Sequence, residues 1–132
     1  MHFYRLSFFD DEANRHRYYV DYASLEEKPD DELEQILLTC VKNTDRMNWN
    51  EKYSIVTPEL SEAEIDKYPI REDYRDYYNF LERLRDSGAT NMFGAGPYLE
   101  SAFHLSINAA NSILANWMHN YDELNNLLGW GR

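Results

Sequence analysis

Residues 87–99 read SGATNMFGAGPYL, an uncharged loop with three glycines that joins two segments with the apolar spacing of helices. Loops usually run over the surface and are polar, so a loop with large apolar residues at its centre is either packed down or a contact site. As a folded junction, which we favour, it would anchor the C-terminal helices through Met92 and Phe93. As a contact site, it would offer Met92, Phe93 and Tyr98 to a partner.

Helical patterns flank this loop on both sides. Before it, apolar side chains recur at spacings of one and three, and Gly88 supplies the positive φ that ends a helix. The recurring residues are Tyr74, Tyr77, Tyr78, Leu81 and Leu84. After the loop, Pro97 suits the first position of a short helix through Phe103. Ser106 can cap a longer helix that runs through Tyr121.

Residues 99–114 have the apolar spacing of a helix-turn-helix unit around Ser106. The residues that carry the spacing are Leu99, Phe103, Leu105, Ala110 and Leu114. Glu100 and His104 depart from the motif, which usually has a small residue and a glycine there. Residues 101–121 contain no Lys or Arg. Asparagine amides can read adenine, but phosphate neutralisation supplies most of the affinity for DNA, so a purely structural helical pair is favoured.

The N-terminal part predicts a small sheet. Residues 3–9 and 18–22 alternate as strands, with a polar hairpin loop at 10–17, and residues 53–57 indicate a third strand. Two strands alone are marginally stable, so a helix must cover one face. A further short helix is predicted over residues 59–68.

The covering helix is predicted to follow Pro29 and to end near Asn43. Acidic residues crowd its first turn, where the helix dipole favours negative charge, and an apolar stripe follows. The stripe is Leu33, Ile36, Leu37, Cys40 and Val41. The sequence therefore predicts an α+β fold, in which the N-terminal hairpin, third strand and helix precede a helix-turn-helix-like unit. An acidic part (1–70) and a helical part (71–132) would share one core as a single domain.

Charge separates the same two parts of the chain. The 132 residues carry a formal net charge of −11, with a net of −9 in residues 21–76 and −2 in residues 87–132. This balance disfavours direct binding to nucleic acid or to an anionic membrane, and favours a partner with a basic surface. Solubility alone is an equally good explanation of the excess charge. Eleven tyrosines suit half-buried positions and interfaces, so a homodimer is also compatible with the composition.

Carboxylates in two segments are the candidate partner-binding residues. The run from Glu26 to Glu34 could imitate the phosphate spacing of DNA, bind a divalent cation or simply form a solvated helix start. For DNA mimicry, the run and later carboxylates could form one extended negative face; the later ones are Glu59, Glu62, Glu64, Asp66, Glu72, Asp73 and Asp76. The candidates are Glu26, Glu27, Asp30, Asp31, Glu32, Glu34, Glu62, Glu64 and Asp66. A calcium loop would need alternating Asp/Asn ligands around a glycine, which this run lacks.

The remaining chemistry-bearing residues predict no catalytic site, metal or cofactor. The four histidines are scattered without ligand spacing, and Cys40 lies inside an apolar stripe rather than in an exposed electropositive setting. No Lys-Ser/Thr pair follows the glycines, as a phosphate-binding loop requires. No apolar run approaches the length of a membrane span, and a single cysteine suits a reducing cytoplasm.

The stretch SGATNMFGAGPYL at 87–99, with Phe103, Ile113-Leu114 and Trp117-Met118, resembles small uncharacterised proteins encoded by bacteriophages. This resemblance implies a phage source and brings no activity or catalytic residues. Small acidic phage proteins suggest, by analogy, an inhibitor of host machinery in the cytoplasm of an infected bacterium. The expected target is a nucleic-acid-handling defence complex. The alternatives are a small helix-turn-helix transcriptional regulator and a structural or assembly factor of the virion.

Overall fold

A five-stranded sheet organises the N-terminal part of the computed structural model, which describes residues 1–42 and 52–130. The strands are β1 (His2–Asp10), β2 (Arg15–Ser24), β3 (Ser54–Val56), β4 (Glu59–Leu60) and β5 (Ile70–Arg71). β1 and β2 form an antiparallel hairpin. β3 and β4 both pair antiparallel with the outer edge of β1, whereas β5 pairs parallel with β2. The predicted hairpin and third strand are confirmed.

The hairpin register assigns side chains to two faces of the sheet. Leu6 lies opposite Val20, on what we call the front face, with Tyr4, Phe8 and Tyr22. Arg5 lies opposite Asp21, on what we call the back face. Successive side chains of a strand point to opposite faces, so the front face is apolar and the back face carries the charged pair.

Five α-helices in the described ranges complete the fold. They are α1 (Asp30–Cys40), α2 (Arg75–Ser87), α3 (Gly96–Phe103), α4 (Ile107–His119) and α5 (Tyr121–Leu127). One cluster of buried apolar side chains joins the front face of the sheet to α1, α2 and the C-terminal helices, with Leu6, Leu37, Leu81 and Trp117 among its members. The α+β class, with a sheet and helix followed by a helical unit, is therefore confirmed.

Capping residues define the end of α2, the end of α3 and the start of α4. Gly88 ends α2 with a φ of 71°. Ser106 caps α4 by accepting a hydrogen bond from the Ala109 N–H at 3.1 Å. His104 ends α3 with a φ of 55°, in the left-handed region where a turn glycine is usual. The predicted helix-turn-helix-like pair is confirmed. His104, which stands where the motif usually has glycine, has the strained left-handed backbone conformation.

Residues 61–69, which we call the crossover segment, link β4 at one edge of the sheet to β5 at the other. Arg5 donates to Asp66 at 2.7 Å, and the Lys67 N–H donates to Asp21 at 3.2 Å. These contacts place the segment across the back face. The predicted helix over residues 59–68 is wrong: apart from one 3-10 turn at Glu62–Glu64, the chain is extended or irregular here, because it must reach from edge to edge.

One further helix boundary differs from the prediction. The helix predicted through Tyr121 is interrupted at Asn120, whose side-chain amide donates to the Tyr68 carbonyl at 3.1 Å and so ties the break to the crossover segment. α1 ends at Cys40. The predicted end near Asn43 lies outside the described residues.

Candidate functional site

The first group of candidate carboxylates lies on α1 and on the loop before it. Pro29 occupies the N-cap position, and three acidic residues form the first turn. Leu33 and Leu37 are buried against the front face, which turns the opposite side of α1 toward solvent. Asp31 and Glu34 are three residues apart on this helix and therefore neighbours on its surface.

Two residues of this group already have partners within the fold. Asp30 accepts a hydrogen bond from the Thr57 hydroxyl at 3.2 Å. Glu32 pairs with Lys28 at 3.1 Å. Lys28 also contacts Glu72 at 3.1 Å, so its single charge is shared between two carboxylates.

The other four residues of the group have no such partner: Glu26, Glu27 and Asp31 are exposed and Glu34 is half-buried in the described part of the chain. Among the described residues, no side-chain hydrogen bond or ion pair involves the carboxylates of Glu26, Glu27, Asp31 and Glu34, which we call the acidic face. Leu38, one turn beyond Glu34, is also exposed. The acidic face is therefore a set of solvated charges next to an exposed apolar residue.

The second group, Glu62, Glu64 and Asp66, lies on the crossover segment. Glu64 accepts a hydrogen bond from the Ser61 N–H at 3.0 Å, which lowers the pKa of its carboxyl group. Asp66 accepts from Arg5 and from the Tyr19 hydroxyl. Glu62 is exposed. Asp66 thus ties the crossover segment to the sheet, and Glu64 stabilises the 3-10 turn within the segment.

The two groups lie on opposite sides of the sheet. α1 packs on the front face, whereas the crossover segment covers the back face. The expectation of one extended negative face is therefore wrong for the crossover carboxylates, because α1 and the crossover segment cover opposite faces of the hairpin, to which successive side chains alternate. A partner that binds the acidic face would therefore contact Glu26, Glu27, Asp31 and Glu34, and it would not contact Asp66 on the opposite side of the sheet.

A buried charge pair lies at the centre of the back face. Arg5 donates from Nε to Asp21 Oδ1 at 2.9 Å and from Nη2 to Oδ2 at 3.2 Å, and Asp21 is fully buried. This hydrogen bonding raises the pKa of Arg5, so the guanidinium remains charged. The Arg5 guanidinium also lies 4.6 Å from the centroid of the Tyr19 ring. The sequence signal for this pair was one charged residue in each of the predicted strands, residues 3–9 and 18–22.

A cavity of about 220 Å³ opens beside this pair. Its lining includes His119, Asn120 and Glu123. Glu123 accepts a hydrogen bond from the Tyr18 hydroxyl at 2.8 Å, and the His119 ring packs against Tyr68. Small-molecule sites usually have volumes of about 300–1,000 Å³, so this cavity is below the usual range. Its polar groups serve contacts between the sheet and α4–α5.

The candidate apolar contact residues divide between the interior and the surface. Met92 is partly buried against the core, but 80% of Phe93 and 41% of Tyr98 are exposed. The predicted role of Phe93 as an interior anchor is therefore wrong. The 3-10 turn Met92–Gly94 holds this geometry, because Asn91 accepts from the Gly94 N–H and a Cβ at position 94 would collide with Thr90 Oγ1. Position 94 therefore has no room for a side chain, and Phe93 lies on the outside of the turn.

Cys40 is buried, and desolvation raises the pKa of its thiol. This agrees with the predicted core position of Cys40. Within residues 1–42 and 52–130, no cluster of three or more His, Cys, Asp or Glu residues has the geometry to hold a metal ion. No helix in the same ranges is both long and apolar enough to cross a membrane.

Comparison with known proteins adds no family assignment: no family model, no curated protein and no solved structure matches this chain. The functional argument therefore depends on the chain's own surfaces.

Proposed function

We propose that this chain is a non-catalytic phage protein that binds and inhibits a host protein complex, and that it does so by presenting the acidic face to a basic surface. The favoured target is a nucleic-acid-handling defence complex in the cytoplasm of the infected bacterium. The phage source rests on the resemblance of residues 87–99, and the binding mode rests on the acidic face.

The observation that carries the proposal is that four carboxylates lie together at the start of α1 and in the loop before it without a partner in the described residues, whereas several carboxylates elsewhere are engaged within the fold. Asp21, Asp66 and Glu72 are each held by cations or hydroxyl groups within the protein. The four carboxylates of the acidic face have no such partner in the part of the chain that the structure describes. A surface that binds nucleic acid is rich in Lys and Arg, and it would attract these solvated charges.

The non-catalytic character is supported by the contacts of the buried polar groups. The Asp21 carboxylate is fixed by Arg5, and the Tyr78 hydroxyl donates to Asn116 Oδ1 at 2.6 Å. Burial raises the pKa of both Tyr22 and Cys40, which keeps these groups protonated at neutral pH. These side chains hold the fold together and offer no activated nucleophile or base.

Affinity capture from lysate of the bacterial host tests the proposal. The test variant is Glu27→Gln/Asp31→Asn/Glu34→Gln, and the matched control is Glu12→Gln/Asp76→Asn/Glu100→Gln, which removes the same charge elsewhere. We expect the test variant to lose the partner and the control to keep it. Added salt or duplex DNA should also release the partner, because a charged interface is screened and DNA competes for the same basic surface. Equal retention by both variants would contradict the proposal.

A second candidate function is a small transcriptional regulator that uses α3 and α4. It is favoured by the observed cap at Ser106 and the tight turn at His104. The lack of Lys and Arg in residues 101–121 stands against it. A gel-shift assay at low salt separates the two functions, since a regulator would retard DNA and the proposed inhibitor would not.

A further inference from the structure

A groove with a volume of about 350 Å³ opens between the end of β2, β5, the start of α2 and α5. Its apolar lining is Leu25, Ile70, Leu124, Leu127 and Leu128. Ile70 and Leu124 are buried and form the floor. Leu25 is 59% exposed and stands at the rim. The groove is therefore an aliphatic surface open to solvent, at the lower end of the size range of small-molecule sites.

Most polar groups in the walls are already engaged. The Tyr22 hydroxyl donates to Glu72 at 2.8 Å, and Glu72 also accepts from the Leu25 N–H at 3.0 Å. Lys28 neutralises the same carboxylate at 3.1 Å. Arg71 donates to both carboxylate oxygens of Asp73, at 3.0 Å and 2.9 Å. These groups shape the groove, but their charges and donors are used within the protein.

Arg75 is the exception in the lining. It is exposed, it lines the groove, and its side chain forms no hydrogen bond or ion pair with any residue in the described ranges. Arg75 is also the first residue of α2, the end at which the helix dipole does not favour a cation. Its guanidinium thus contributes no visible stabilisation to the fold and is available to an anion.

We propose that this groove binds a small free aliphatic carboxylate, with the hydrocarbon chain on the leucines and the carboxylate on Arg75. The branched aliphatic lining matches an alkyl chain. A single planar guanidinium matches a carboxylate, to which it can donate two parallel hydrogen bonds. The site is separate from the acidic face, and the inference does not depend on the proposed inhibitory function.

Calorimetric titration with three matched probes tests this site: octanoate, octan-1-ol and acetate. We expect octanoate to bind with one-to-one stoichiometry, octan-1-ol to bind about tenfold more weakly, and acetate to show no saturable binding. A tenfold difference corresponds to about 1.4 kcal/mol for the charged contact. The variant Arg75→Gln should weaken octanoate about tenfold and leave octan-1-ol unchanged. The variant Arg83→Gln on the same helix is the control and should leave both affinities unchanged.

Methyl NMR spectra locate the bound chain and show that each variant is folded. Octanoate should shift the methyl signals of Leu25, Leu127 and Leu128 and leave that of Leu38 unchanged. The inference is overturned if octanoate does not bind, if its shifts lie outside the groove, or if octan-1-ol binds equally well. Equal weakening by Arg75→Gln and Arg83→Gln would also overturn it, because that result indicates a general charge effect.

Discussion

Removal of Arg5 should destabilise this protein more than removal of its buried partner Asp21. Arg5→Met keeps the aliphatic stem but takes away two of the three described donors to the Asp21 carboxylate, leaving the Lys67 N–H at 3.2 Å. Asp21→Asn keeps the shape of the side chain, and Arg5 retains Asp66 at 2.7 Å. The asymmetry follows from burial, since Asp21 is fully buried and 60% of the Asp66 side chain is exposed.

The expected magnitudes differ accordingly. Loss of one partner from a buried ion pair costs about 3–5 kcal/mol, because the remaining charge stays buried without a compensating charge and without hydration. Loss of a hydrogen bond to a charged group costs about 1.5–3 kcal/mol. We therefore expect Arg5→Met to lower the free energy of unfolding by about 3–5 kcal/mol and Asp21→Asn by about 1.5–3 kcal/mol. A total stability of about 5–15 kcal/mol makes both changes measurable.

Equilibrium urea unfolding at neutral pH, followed by tryptophan fluorescence, measures these differences. The decisive variant is the double substitution Arg5→Met/Asp21→Asn. It should be more stable than Arg5→Met alone, because the second change removes the uncompensated charge. The reasoning is refuted if Asp21→Asn is the more damaging single substitution, or if the double variant recovers no stability.

Three further predictions concern single side chains. Cys40 should resist a disulfide reagent in the folded protein and react after denaturation, because burial raises the pKa of its thiol; immediate reaction would contradict its burial. His104→Gly should raise the free energy of unfolding by about 0.5–1 kcal/mol, since relief of left-handed strain exceeds the added chain entropy; thermal unfolding that shows a loss would refute this. Burial alone would raise the pKa of the Glu72 carboxyl group, but hydrogen bonds from Leu25, Tyr22 and Lys28 lower it below 4.5. The ionised Glu72 therefore contributes fully to the free energy of unfolding above that pH, and this contribution is lost as the pH falls through the pKa of the folded protein. Urea unfolding between about pH 6 and pH 3 should therefore show a weaker acid dependence for Glu72→Gln than for the wild type, and identical slopes would contradict the assignment.

The elements that the sequence predicts well are those with a strong local signal. The hairpin has clear alternation, and α2 has both an apolar stripe and Gly88 at its end. β4 and β5 have two residues each and no pattern of their own. They exist because the neighbouring strands offer unpaired backbone groups, so their pairing is decided by the fold and not by local propensity.

The candidate site was predictable in composition but not in arrangement. Acidic clusters are visible in the sequence, yet only the sheet places Asp31 and Asp66 on opposite sides. The Arg5–Asp21 pair required the register of β1 and β2, which alternation alone does not determine. Phe93 was misassigned because apolar character predicts burial, whereas its place in the 3-10 turn Met92–Gly94 leaves the ring 80% exposed.

The path of residues 54–71 also determines how the sheet meets other chains. This one stretch lies along the outer edge of β1, crosses the back face and then lies along the outer edge of β2. The strands it adds have only two or three residues, which offer a poor template for strand addition. A second copy could extend the hairpin only after this stretch had been displaced. Displacement of this stretch would uncover both flanks of the hairpin together and leave two long strand edges open to self-association.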